Sequence, residues 1–124
     1  MLARGSGRVI NVASIMGFRG TQVTPNLPYA TSKGAVVNFT RTLAGEWASR
    51  GVRVNGIAPT YLRTPLTQRL VSNPELTARI EHRTPMGRAG VPQDLVGAML
   101  FLASPASALV TGHILPVDGG WLAW

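Results

Sequence analysis

The chain has no cysteine among its 124 residues. That excludes a disulfide framework and any metal site built on thiolates, and it fits a reducing compartment. Histidine is nearly as scarce: His82 and His113 stand too far apart to form a ligand motif, so no metal is expected. Five acidic residues face eleven arginines and a single lysine, for a formal net charge of +7. A balance of this sign suits an anionic partner such as nucleic acid or a phosphate-rich cofactor. The arginines, however, are scattered singly from Arg4 to Arg88, without a basic run or a recognition-helix pattern, which argues against nucleic acid. No apolar run reaches the ~18 to 20 residues that span a bilayer, and residues 1–7 carry no apolar signal segment. The expectation is a soluble, cytoplasmic protein with no membrane partner.

What is present is globular material, 45% hydrophobic and 14% charged. A chain of this length can bury the core of one domain, or of part of one. Arg8-Val9-Ile10-Asn11-Val12-Ala13 is a β-branched run that predicts a buried strand ending at Ser14. Gly17, Gly20, Thr21, Thr24, Pro25, Asn26 and Pro28 then describe an irregular loop. From Pro28 to Arg50, Ala35, Val36, Phe39, Leu43 and Trp47 recur at helical spacing, with Gly51 as the stop. A second strand is expected over Val52 to Ala58, closed by Pro59. Short helices are expected around Pro65 to Val71 and Pro74 to Arg83 within a long segment of the kind that forms lids. Pro92 opens another helix ending near Ala103, and His113 to Val117 makes a third strand. The order implies an α/β fold of three parallel strands with crossover helices.

One constellation carries chemistry. Tyr29 and Lys33 are at i and i+4, one turn apart on the same face of the long helix. A phenol with a free pKa of ~10 is a poor base at neutral pH, and a nearby cation favours its ionised form. A proton donor and acceptor of this kind is what carbonyl reduction or alcohol oxidation needs. The alternative is an exposed tyrosine beside a solvated lysine. Lys33 is the single lysine in a chain that otherwise uses arginine, and an ammonium differs from a guanidinium in size and donor geometry. Ser14 places a hydroxyl at the carboxyl end of a strand, where open α/β sheets bind ligands; the lesser alternative is a strand-end cap.

In the segments Asn11 to Ser14, Tyr29 to Ala35, Val52 to Pro59, Pro85-Met86-Gly87-Arg88 and Gly112 through Asp118-Gly119-Gly120, the chain resembles the short-chain dehydrogenase/reductase family. Within it, the chain is similar to the gluconate 5-dehydrogenase group. The resemblance implies the C-terminal half of a Rossmann-type doubly wound parallel sheet, one partial domain over residues 1–124 with a substrate lid over about 60–92. It implies an oxidoreductase moving a hydride between NAD or NADP and a small alcohol or carbonyl substrate. Tyr29 would be the general acid/base and Ser14 the hydroxyl that orients the substrate oxygen. Lys33 would favour the phenolate and hydrogen-bond the nicotinamide ribose, while Pro59, Leu62 and Thr64 would border the nicotinamide carboxamide. The complete protein would be a homo-oligomer.

Other readings stay open beside these. Thr64 is also a good N-cap before Pro65, and Asn55 suits buttressing a strand end. Phe39 and Trp47 suit a core or an interface, and Trp121 and Trp124 suit packing against a neighbouring subunit. The chain departs from the family in two respects. Thr60 follows Pro59 where the family usually has glycine, so the carboxamide site is expected to be altered. There is also no Gly-rich turn between a first strand and helix to cradle a pyrophosphate. The chain is therefore expected to be a fragment, inactive by itself; the alternative is a non-catalytic homologue that serves as an interaction partner.

Overall fold

The computed structural model describes residues 1–20 and 23–124; Thr21, expected in the loop after the first strand, lies outside them. The three β-branched runs form strands β1 (Gly7–Val12), β2 (Val52–Pro59) and β3 (Ile114–Val117). All pair in parallel in the order β1-β2-β3, with Val9 beside Val54 and Ile57 beside Leu115. Parallel strands need long crossovers. The first is helix α1 (Leu27–Trp47), and the second contains α2 (Gln68–Val71), α3 (Pro74–Arg83) and α4 (Val96–Ala103). The fold is the expected α/β arrangement.

Period-two alternation decides which face of β2 meets which helix. Val52 and Val54 point to α1 and pack with Ala44, while further along Ala58 joins Ala13, Val37 and Ile114. Arg53, between the two valines, projects to the opposite face. Its guanidinium donates to the carbonyls of Leu102, Ser104 and Val110 at 3.1 to 3.2 Å and so satisfies acceptors at the end of α4. Burial, and then the charge of Arg8, push its pKa below the usual guanidinium range.

Helix α1 carries Pro28 in its first turn, where a missing N–H costs nothing. After α1, a tight turn over Ala48–Arg50 ends at Gly51. This glycine has φ +75°, and a Cβ on it would meet the Gly5 carbonyl oxygen at 2.0 Å. The buried seam of α1 is Val37, Thr40 and Ala44. That differs from the expected apolar set: Phe39 is 56% exposed, and Ala35 is also exposed. The helix is apolar over a wide arc, so spacing alone does not choose the face that the sheet covers. Thr40 fits the buried seam because its hydroxyl is satisfied, donating to the Val36 carbonyl at 2.7 Å and accepting from Asn11 Nδ2 at 2.9 Å.

The segment after β2 is tied at both ends. Leu62 and Gly90 form a parallel bridge, in which the Gly90 amide donates to Tyr61 and the Arg63 amide to Gly90. Between these ends, Ile80 of α3 is fully buried in a cluster with Ile15, Met16, Tyr61, Ala89 and Trp121. Trp121 thereby corrects a second expectation. It lies only 2% exposed inside this chain, its ring 5.5 Å from that of Tyr61, and so is not available to a neighbouring subunit. The tail turns back under α3, a long-range placement with no local sequence signature. Asn55 does buttress a strand end: its side chain donates to the Val110 carbonyl at 2.8 Å and accepts from the His113 amide at 3.0 Å.

Candidate active site

Ser14 leaves β1 in extended conformation and caps the tight turn Ile15–Gly17, its Oγ accepting from the Met16 amide at 3.2 Å. The capping expectation therefore holds, and it does not consume the hydroxyl proton, which stays available to an acceptor in front of it. Gly17 then lets this turn lie directly on α1: a Cβ there would sit 2.7 Å from the Lys33 carbonyl oxygen and 2.9 Å from Val37 Cγ2. The close approach brings the end of β1 to the first turns of α1.

Tyr29 and Lys33 meet as their spacing predicts, with Nζ 5.6 Å from the phenol ring centroid. The ammonium is not left to solvent. It donates to the Val12 carbonyl at the end of β1, at 2.9 Å, and an ammonium has further donors beyond the one that this carbonyl takes.

Ser14 and Tyr29 line one cleft of about 270 Å³. Ile15 and Met16 form its wall beside Ser14, Thr24 and Asn26 the polar rim, and Thr60, Tyr61, Leu66, Thr67 and Leu70, from the segment after β2, the opposite side. The Ser14 hydroxyl and the Tyr29 phenol thus border a mostly apolar space of the size a small molecule fills. The remaining expected residues lie around it and do not line it. Pro59 is buried in β2 opposite Val117. The amide of Leu62 takes no part in the Leu62–Gly90 bridge, which uses the groups on either side of it. Thr64 caps the turn Pro65–Thr67, its amide donating to Thr67 Oγ1 at 3.1 Å and its hydroxyl lying 3.1 Å from the same oxygen. Thr67 in turn donates to the Leu62 carbonyl.

Sequence reasoning noticed Thr60 for the glycine it replaces. Its hydroxyl escaped notice: Oγ1 is buried without a hydrogen-bond partner, the one such side-chain atom among the described residues. A buried orphan of this kind costs free energy unless something satisfies it. Thr60 also lines a second cleft of about 440 Å³ with Leu62, Gly90, Pro116 and Asp118. That cleft is braced by Arg88 and Asp94, joined by two hydrogen bonds of 2.7 and 2.9 Å. The Arg88 guanidinium first, and then the Val91 amide, hold the Asp94 carboxyl down at about 2.

A family model described as enoyl-(acyl carrier protein) reductase matches residues 1–122. The chain is 48% identical over 124 residues to galactitol 2-dehydrogenase (L-tagatose-forming) from Cereibacter sphaeroides, covering 100% of this chain and 49% of that protein. It is 46% identical over 123 residues to 2-dehydro-3-deoxy-D-gluconate 5-dehydrogenase from Escherichia coli, covering 98% of this chain and 48% of the relative. Among solved structures, a gluconate 5-dehydrogenase from Burkholderia cenocepacia in complex with NADP and tartrate superposes with TM-score 0.95 at 40% identity. The match covers 99% of this chain and 48% of that one. The chain spans about half the length of the relatives it matches.

Proposed function

Because the chain belongs to the short-chain dehydrogenase/reductase family, we propose that it forms the catalytic half of an NAD(P)-dependent oxidoreductase acting on a small polyhydroxylated alcohol or its carbonyl counterpart. The observation that carries this reading is the shared cleft: Ser14 and Tyr29 face one space, and the serine proton is left unspent by its cap. Polyol and sugar-acid dehydrogenases among the relatives support the substrate class, as do the polar rim residues Thr24 and Asn26. The domain assignment follows the same lines, with residues 1–124 as one partial Rossmann-type unit and about 60–92 as its lid.

In this reading Tyr29 gives a proton to, or takes it from, the substrate oxygen. Ser14 donates a hydrogen bond to the same oxygen and fixes its position. Lys33 stands beside the phenol with its tether on Val12 and would donate to the cofactor ribose. The nicotinamide cofactor supplies or accepts the hydride when bound. Residues for its nicotinamide end fit: the Leu62 amide is left out of its bridge, and the buried Thr60 hydroxyl lacks a partner that a carboxamide would supply.

The test joins this chain to the first half of the Burkholderia cenocepacia relative and assays alcohol oxidation with NAD and NADP. Tyr29→Phe should lower kcat by at least ~100-fold, the lower range for a positioned acid/base, with cofactor affinity little changed. Near-normal turnover in the Phe variant removes Tyr29 from the chemistry. No turnover in the parent, with the fold intact, favours a non-catalytic homologue that acts as an interaction partner.

A further inference from the structure

The Ser14–Tyr29 cleft is built from neutral groups. Its polar lining consists of serine, threonine and tyrosine hydroxyls and the Asn26 amide, and its larger, apolar part includes Met16, Leu66 and Leu70. Among the described residues, no side chain charged at neutral pH lines it, and Thr21 and Gln22, outside those residues, are uncharged by type. Resting on the reading of this cleft as the substrate site, we propose that it selects an uncharged polyol, or the corresponding ketose, over the sugar acid of the same carbon skeleton.

Family membership leaves that choice open, because the relatives include both a galactitol dehydrogenase and a dehydrogenase of a gluconate derivative. The cations around the cleft are employed elsewhere or stand outside it. Lys33 donates to the Val12 carbonyl at 2.9 Å beside the phenol. Arg19 donates to the Trp124 carbonyl, and Arg63 pairs with Glu81 at 3.5 Å. Arg69 is exposed on α2 and does not line the cleft. A carboxylate entering here would shed water without gaining a counter-charge.

The groups that are present match a polyol. Hydroxyls and a primary amide both donate and accept, as the hydroxyls of a polyol do, whereas a carboxylate only accepts. Asn26 precedes α1 but makes no side-chain capping bond, which leaves its amide to the cleft. Leu66, 91% exposed, stands one turn from Leu70, and both line the cleft. The C–H face of a polyol chain laid on these leucines removes apolar surface from water. An opposing feature is the N-terminus of α1 at the rim, since such ends favour anions. Pro28 deletes one amide from that first turn, and what remains is weaker than a full counter-charge.

The experiment joins this chain in turn to the first half of the Cereibacter sphaeroides relative and to that of the Burkholderia cenocepacia relative. It compares kcat/KM for three matched pairs: D-glucitol with D-gluconate, galactitol with D-galactonate, and xylitol with D-xylonate. The members of each pair differ at one terminal carbon alone. In every pair that reacts the polyol should be preferred by at least ~10-fold, with either first half. Leu66→Lys, which offers an ammonium to the cleft, should move the ratio toward the acid by roughly fivefold, mainly through KM. Leu66→Gln, polar but neutral, should not. The proposal is overturned if the acid is the better substrate, if the preference changes sides with the first half, or if the Lys and Gln variants act alike. Should the Lys variant fail to fold, the paired comparison in the parent still decides. Preference for the acids overturns this inference and leaves the oxidoreductase reading standing. Turnover of none of the six compounds by a folded joined protein overturns the polyhydroxylated substrate class itself, and this inference with it.

Discussion

The frame that carries the candidate catalytic groups and the proposed lid beside it are held by different balances of bond. Ser14, Tyr29 and Lys33 sit on β1 and α1, elements locked by backbone ladders and by the Gly17 contact at the start of α1. The proposed lid is tied at its two ends by the Leu62–Gly90 backbone bridge and between them mostly by side chains: the Thr64–Thr67 cap, the Asn73 cap of α3, and ion pairs at Arg63–Glu81 and Arg88–Asp94. Its deep anchors are Tyr61, Ile80 and Ala89 in the cluster with Trp121. Groups that must meet within hydrogen-bond distance of a reacting atom are thus placed on regular backbone, while the segment that shapes the pocket rests on replaceable contacts.

That contrast can be broken most severely at the frame. Lys33→Arg keeps the charge but cannot place a compact ammonium both on the Val12 carbonyl and toward a ribose. In the joined enzyme it should lower kcat by nearly as much as Tyr29→Phe, approaching ~100-fold, and shift the pH profile. An Arg variant with unchanged rate and profile would make Lys33 a helix-surface residue.

Next in size is Gly17→Ala. The new methyl would press on the Lys33 carbonyl, a backbone group that cannot swing aside. A loss of ~1–3 kcal/mol is expected, as for overpacked sites generally, and urea unfolding measures it. A loss within ~0.5 kcal/mol, the usual range for surface substitutions, would show that α1 yields and is less rigid than argued.

The lid should respond more mildly. Asn73 accepts from the amides of Glu75 and Leu76 at 3.0 and 3.2 Å. Asn73→Ala should cost about 1 kcal/mol, with turnover nearly preserved in the joined enzyme. A collapse of turnover at unchanged stability would show that the lid positions the chemistry directly.

The smallest effect is expected at Asp94, whose carboxyl is held at about 2 in the folded chain against ~3.9 when unfolded. A depressed pKa stabilises the fold above the unfolded value, and that contribution fades as pH falls from ~4 through about 2. The stability gap between the parent and Asp94→Asn should therefore be present at neutral pH and close across that window. It should be small, because the pair is solvent-exposed. A gap that persists below the window would point to the shape of the carboxyl group and away from its charge.

Much of the frame was legible because its signals are local. β-branched runs mark the strands, proline and glycine mark the ends of α1, and an i, i+4 spacing brings Tyr29 to Lys33 in any helix. Ser14 was legible as a strand-end hydroxyl, but its sharing of a cleft with Tyr29 depends on Gly17 letting the turn rest on α1. Phe39 could not be assigned to core or interface because α1 is apolar on more than one side, and in the fold it is exposed. Trp121 was misplaced because the segment that buries it, α3, lies far away in the chain.

Sequence by itself thus determined the order and type of the elements, the pairing of Tyr29 with Lys33, and the resemblance that pointed to the family. Each of these follows from residues within a few positions of one another or from motifs in a fixed order. Only the tertiary structure decided that Thr60 hides an unpartnered hydroxyl and that the segment after β2 is pinned at Leu62 and Gly90. It alone gathered Ser14, Asn26 and Leu66 around one cleft. Those outcomes depend on which faces the sheet and the buried cluster bring together, and burial is a property of the packed whole that no single segment encodes.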